Sequence, residues 1–131
     1  MQQRSSLKEV YREGTVLYLA GPISSDDKAQ ESFRMAEKRL SELGYVIINP
    51  FDVDPSKLFQ DFPKMKGKRR DRAQLKADIA AMMKCEGVAT LPLIAPSEGM
   101  ARELHLAHSL DMKVMPIEWW VPRAPLLPPV M

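Results

Sequence analysis

The chain has 131 residues, 45% of them hydrophobic, and a formal net charge of +2. That length supports one core and not two; no run approaches the roughly 20 apolar residues of a membrane span; and so small a net charge gives no global attraction for nucleic acid. The lone Cys85 has no partner for an internal disulfide and the start of the sequence lacks the apolar run of a secretory signal, so a cytoplasmic protein without membrane contact is expected. No Cys/His spacing fits a zinc site, His105 and His108 read as surface or interface groups, and neither a metal nor another cofactor is expected.

Residues 1–14 read as an N-terminal arm, with Leu7, Val10 and Tyr11 at helical spacing but too short to stand alone. Thr15 to Ala20 is β-branched and apolar on both faces, which suits a central parallel strand, and Gly21 and Pro22 stop it. Ser24 to Asp27 offer N-caps for a helix whose stripe is Phe33, Ala36, Leu40 and Leu43, ending at Gly44. Tyr45 to Ile48 is a second strand, closed by Asn49 and Pro50. Residues 51–70 show no sustained period and read as a functional or mobile loop. A helix from about Asp71 to Lys84, a strand from Gly87 to Leu93, a helix through Leu110 and a strand from Lys113 to Ile117 follow. Residues 118–131 form a proline-rich, extended tail whose apolar side chains pack on this chain or on a neighbour.

Two of those helices carry an acid where a core residue belongs. Glu103 shares the stripe of Met100, Leu104, Ala107 and Leu110, and Asp78 that of Leu75, Ile79 and Met82. A lone buried glutamate is most simply a structural salt bridge or an end-of-stripe group reaching water. A pair suits covalent or acid/base chemistry, because desolvation and mutual repulsion can hold one carboxyl protonated and the other ionised. Lys64 to Arg72 adds six basic residues in nine, either a solvated face or an attractor of a phosphorylated substrate.

Strand and helix in alternation imply an α/β fold: a single-domain three-layer sandwich around a parallel, Rossmann- or flavodoxin-like sheet of four to five strands. Ligands of such folds bind beyond the carboxyl ends of the strands, where residues 21–24, 49–50 and 92–99 fall. Asp78 reaches that edge only if it lies near the start of its helix.

Over residues 15–114 the chain resembles the nucleoside 2-deoxyribosyltransferase-like superfamily of base-exchanging transferases and nucleoside 5′-monophosphate N-glycosidases. The resemblance rests on the strand from Tyr18 to Ile23, on Ile48, Asn49 and Pro50, on Ala77, Asp78 and Ile79, and on Ser97, Gly99, Ala101 and Glu103. It implies that Glu103 is the nucleophile at the anomeric carbon and that Asp78 is the acid assisting at the base. It further implies that Tyr18, Gly21, Ile23, Ser24, Asn49, Ser97 and Gly99 contact the substrate. Ser97 corresponds to the position where the nucleotide hydrolases place a phosphate-binding serine, though it is equally an ordinary N-cap. Glu98 beside it is a departure with no evident purpose. Subunits completing one another's sites are also implied, so a homodimer or higher homo-oligomer is expected, supported by the apolar tail with Trp119 and Trp120.

The reading is hydrolysis of the N-glycosidic bond of a (deoxy)nucleoside 5′-monophosphate, giving free base and (deoxy)ribose 5-phosphate. The partner is then a small nucleotide, with no stable binding of nucleic acid. The alternatives are base exchange by a deoxyribosyltransferase and a non-catalytic nucleotide-binding or sensing module on the same fold. A phosphoacceptor receiver domain fails, because the first strand ends in Gly21 and Pro22 instead of an acidic pair.

Overall fold

Strand β1 (Val16–Ala20) sorts the molecule into two halves by the alternation of its side chains. Leu17 and Leu19 enter one apolar cluster, Tyr18 and Ala20 another, and all four are buried, because the sheet is covered on both faces. The structure is a computed structural model that describes residues 14–21, 27–92 and 98–121. Most of the N-terminal arm, the capping candidates from Ser24 to Asp26, and the tail from residue 122 lie outside these.

The remaining strands are β2 (Val46–Ile48), β3 (Gly87–Thr90) and β4 (Lys113–Pro116), and all pairings are parallel in the order β2-β1-β3-β4. Four parallel strands with helices make this an α/β domain. Helix α1 (Asp27–Glu42) lays Phe33, Ala36 and Leu40 on the Leu17 and Leu19 face. Helices α2 (Gly67–Met82) and α3 (Glu98–Ser109) place Met82, Met100 and Ala107 on the Tyr18 face. The change of side follows from winding: the chain steps one way from β1 to β2 and the other way afterwards, so crossovers of one hand must use opposite faces. Each fully buried Leu or Phe in these clusters contributes about 1.5–3 kcal/mol.

Gly44 ends α1 as expected. Its φ is +100°, its N–H donates to Ser41 and that of Tyr45 donates to Leu40, which closes the last open carbonyls of the helix. The same pair of bonds ends α3, where Asp111 N–H donates to His108 and Met112 N–H to Ala107, but the residue at positive φ (+55°) is an aspartate.

Four expectations change. The 51–70 segment contains three 3-10 turns, Pro50–Asp52, Pro55–Lys57 and Phe62–Lys64, each opened by proline or with proline second. Arg34 grips Asp52 with two bonds of 2.7 and 2.6 Å, and Phe62 and Met65 pack on Ala73, so the segment is tied to α1 and α2. Helix α2 starts at Gly67, a turn before Asp71, with Lys66 as a cap that makes no side-chain bond; such a start leaves no capping signature in the sequence. The proposed tail begins with a helical turn, α4 (Ile117–Trp120), instead of extended chain. Trp120 is buried among the chain's own residues: Nε1 donates to the carbonyls of Val88 and Met115, and its ring occupies the space left by Gly87, where a Cβ would sit 2.6 Å from it. Trp120 therefore drops out of the case for an apolar intersubunit surface. Strand β3 also stops at Thr90, short of Leu93. No helix among the described residues is long and apolar enough to cross a membrane.

Candidate active site

The sheet changes its direction of winding at β1 and β3, and beyond the carboxyl ends of these neighbours a crevice opens on the α2 and α3 side. Gly21 continues β1 into it. A Cβ there would point to the α1 face, where it would meet the Phe33 ring at 3.0 Å and Leu91 at 3.2 Å, so close packing on the side away from the crevice keeps this position a glycine.

Helical spacing brings the acids to this place. On α3, Met100, Glu103 and Ala107 are buried, and on α2 Ala77, Asp78 and Met82 are. Asp78 is only 5% and Glu103 only 4% exposed, and both line one cavity of about 300 Å³ with Gly21, Gln74, Leu75 and Gly99. Because α2 starts at Gly67, Asp78 lies past its midpoint; it reaches the crevice because the flank of α2, not its tip, borders the cavity. No cation pairs with either carboxyl among the described residues. Among the described residues, therefore, no structural salt bridge holds these acids.

Hydrogen bonds orient them instead. Tyr18, fully buried on the central strand, donates its hydroxyl to Glu103 Oε2 at 2.7 Å. Gln74, one helical turn before Asp78, donates Nε2 to Asp78 Oδ1 at 3.0 Å. Burial pushes the Glu103 carboxyl up to about 7; the Tyr18 bond opposes this, and the Asp78 charge adds to it. Burial likewise raises Asp78 to about 6, against the bond from Gln74. The Tyr18 phenol is driven far above its usual range by burial and by the charges of Glu103 and Asp78, so it stays a donor. Near neutral pH the pair shares roughly one negative charge. With one proton between two carboxyls so closely matched, either can be the ionised member while the other donates.

Of the residues expected at the site, Tyr18, Gly21, Asp78, Gly99 and Glu103 come together. Asn49 does not join them. Its Nδ2 donates to Glu37 and its Oδ1 accepts from Phe51 N–H, capping the first 3-10 turn, and it borders a separate groove with Lys57 and Lys84. Ile23, Ser24 and Ser97 lie outside the described residues. Gln74 was not anticipated; its spacing of four from Asp78 on a helix is the signal that points to it. His105 and His108 are exposed, and no three His, Cys, Asp or Glu among the described residues are grouped to hold a metal ion.

No curated protein matches the chain. The family model described as Domain of unknown function (DUF4406) aligns with residues 15–116, from the first residue before β1 to the last of β4, and the chain belongs to that family.

Proposed function

We propose that this protein hydrolyses the N-glycosidic bond of a (deoxy)nucleoside 5′-monophosphate. The observation that carries the reading is the pair of buried acids, unpaired with any described cation, with Glu103 held by the Tyr18 hydroxyl. In the proposed reaction the Glu103 carboxylate attacks the anomeric carbon as the C–N bond breaks. The base leaves with the bonding electrons and takes a proton from Asp78. Tyr18 engages Oε2, which leaves Oε1 for attack. Water then adds to the anomeric carbon, freeing Glu103 and returning a proton to Asp78, so the products are free base and the sugar 5-phosphate.

Incubating the protein with deoxynucleoside and ribonucleoside 5′-monophosphates and separating free base by chromatography tests this. Base release from at least one of them is expected. No release from any, with tight binding retained, replaces the reading by a nucleotide-binding module, and release only when a second base is added replaces it by base exchange. The reading includes a homo-oligomer, for which Leu110 and Trp119, both about half exposed, are candidate contact residues. A monomer by light scattering refutes that part.

A further inference from the structure

The basic run from Lys64 to Arg72 is divided by helix geometry, since successive residues on α2 are turned by about 100°. Arg69 donates to Asp61 at 2.5 Å, and the Arg70 guanidinium lies 4.4 Å from the centroid of the Phe62 ring. Those two arginines hold the turn before the helix. Lys68 and Arg72, four apart, lie elsewhere: with Asp71, Leu75, Gly99 and Arg102 they line a cavity of about 520 Å³. Lys68 and Arg72 are exposed, and neither has an ion pair or hydrogen bond among the described residues.

This cavity shares Asp71, Leu75 and Gly99 with the one that holds Asp78 and Glu103. The two are adjoining compartments along α2 and α3, one acidic and the other basic. Lys68 and Arg72 outnumber the single carboxylate of Asp71, so the basic compartment is net positive without counting Arg102. The rise along α2 is about 9 Å from Arg72 to Asp78 and about 15 Å from Lys68. Long side chains shorten those spans, so one extended small molecule can fill both. Its end in the acidic compartment must accept a proton, and its other end must be anionic.

We propose that the cavity of Lys68, Arg72 and Arg102 is the phosphate subsite for the nucleotide that Asp78 and Glu103 cleave. The identity of the ligand rests on the glycosidase reading; the existence of an anion site beside the acids does not. Guanidinium and ammonium groups suit phosphate because several charge-assisted hydrogen bonds form at once. Phosphate recognition then involves α2 side chains in addition to the contact expected at Ser97.

The test titrates a nucleoside 5′-monophosphate, the matching nucleoside and inorganic phosphate calorimetrically into three proteins: wild type, Lys68→Gln/Arg72→Gln and Lys57→Gln/Lys84→Gln. The last pair removes the same charge from exposed lysines beside the other groove, so it reports long-range attraction alone. Nucleotide affinity should fall by at least about tenfold in the first variant and less than about twofold in the second, with nucleoside affinity unchanged in both. Equal losses in the two variants, or no loss in the first, overturn the subsite. Inorganic phosphate has no glycosidic bond, so its loss from Lys68→Gln/Arg72→Gln supports the subsite even if no nucleotide is cleaved. Conversely, a nucleotide cleaved by that variant with unchanged KM leaves the glycosidase reading standing and removes the subsite.

Discussion

The two faces of one sheet differ in what they bury. Toward α1 and α4 the interior is Leu17, Leu19, Phe33, Leu40, Ala89 and Trp120, and the polar atoms of its aromatic side chains are satisfied: Tyr45 Oη donates to the Trp120 carbonyl at 2.6 Å, and Trp120 Nε1 to two more carbonyls. Toward α2 and α3, equally well buried side chains of Tyr18, Met82 and Met100 are interrupted by two carboxyls. An ionised group in such surroundings costs free energy, so the two carboxyls subtract at neutral pH from what the second face contributes, a cost the first face does not carry. Uneven burial of charge within one small domain is what a site kept for chemistry looks like.

Glu103→Gln should separate the faces most sharply. Base release is expected to fall by at least about a thousandfold, roughly 4 kcal/mol of transition-state stabilisation, with the circular dichroism spectrum unchanged. Single-turnover kinetics on the strongest nucleotide substrate check this, and a wild-type rate would remove Glu103 from the chemistry. Trp120→Ala is the counterpart on the dry face: a loss of about 3–5 kcal/mol in urea unfolding, with the rate per folded molecule unchanged. A rate that drops with stability intact would contradict the division.

Titration sharpens the comparison further. Both carboxyls are raised above their unfolded values, so the folded state holds protons more tightly than the unfolded one. Their stabilising contribution is therefore complete below about pH 4 and lost as pH rises through 6 and 7. In Glu103→Gln that decline should flatten, giving a variant more stable than wild type at pH 8, by on the order of 2 kcal/mol, and not at pH 4. Thermal melts across pH decide it; parallel curves for the two proteins would refute the buried-charge account. In wild type, kcat/KM should be bell-shaped, rising through pH 6 as the pair loses one proton and falling through pH 7 as it loses the second.

The smallest expected effect lies away from both faces. Asp111→Gly relieves a side chain at φ +55° in a terminator that α1 builds with glycine, and a gain of about 0.5–1 kcal/mol is expected from urea unfolding. A loss instead would mean that the Asp111 carboxylate contributes to ending α3.

Strands, the end of α1 at Gly44 and the burial of Asp78 and Glu103 were legible because each is written in local periodicity or in a turn residue. What escaped has tertiary causes. The start of α2 at Gly67 has no side-chain cap and lies among charged residues that show no period until Ala73 and Ala77 pack. Asn49 has the right position at the sheet edge, but its amide is taken by Glu37 and Phe51, a competition that only the fold reveals. Trp120 read only as part of an apolar tail packing on this chain or on a neighbour, because nothing in the sequence says that Gly87, 33 residues earlier, leaves a hole of its shape. The basic run divides only once the phase of α2 is known.

Tyr18 belongs to the innermost strands, paired on both sides, and it is also the group that grips Glu103. The proposed nucleophile is thus clamped to the central strand, where amides are expected to exchange through global opening and not local fraying. On heating, activity should survive until the whole domain melts. Inactivation and cooperative unfolding then share one midpoint, and a lesion in the outer turns leaves the reaction centre in register.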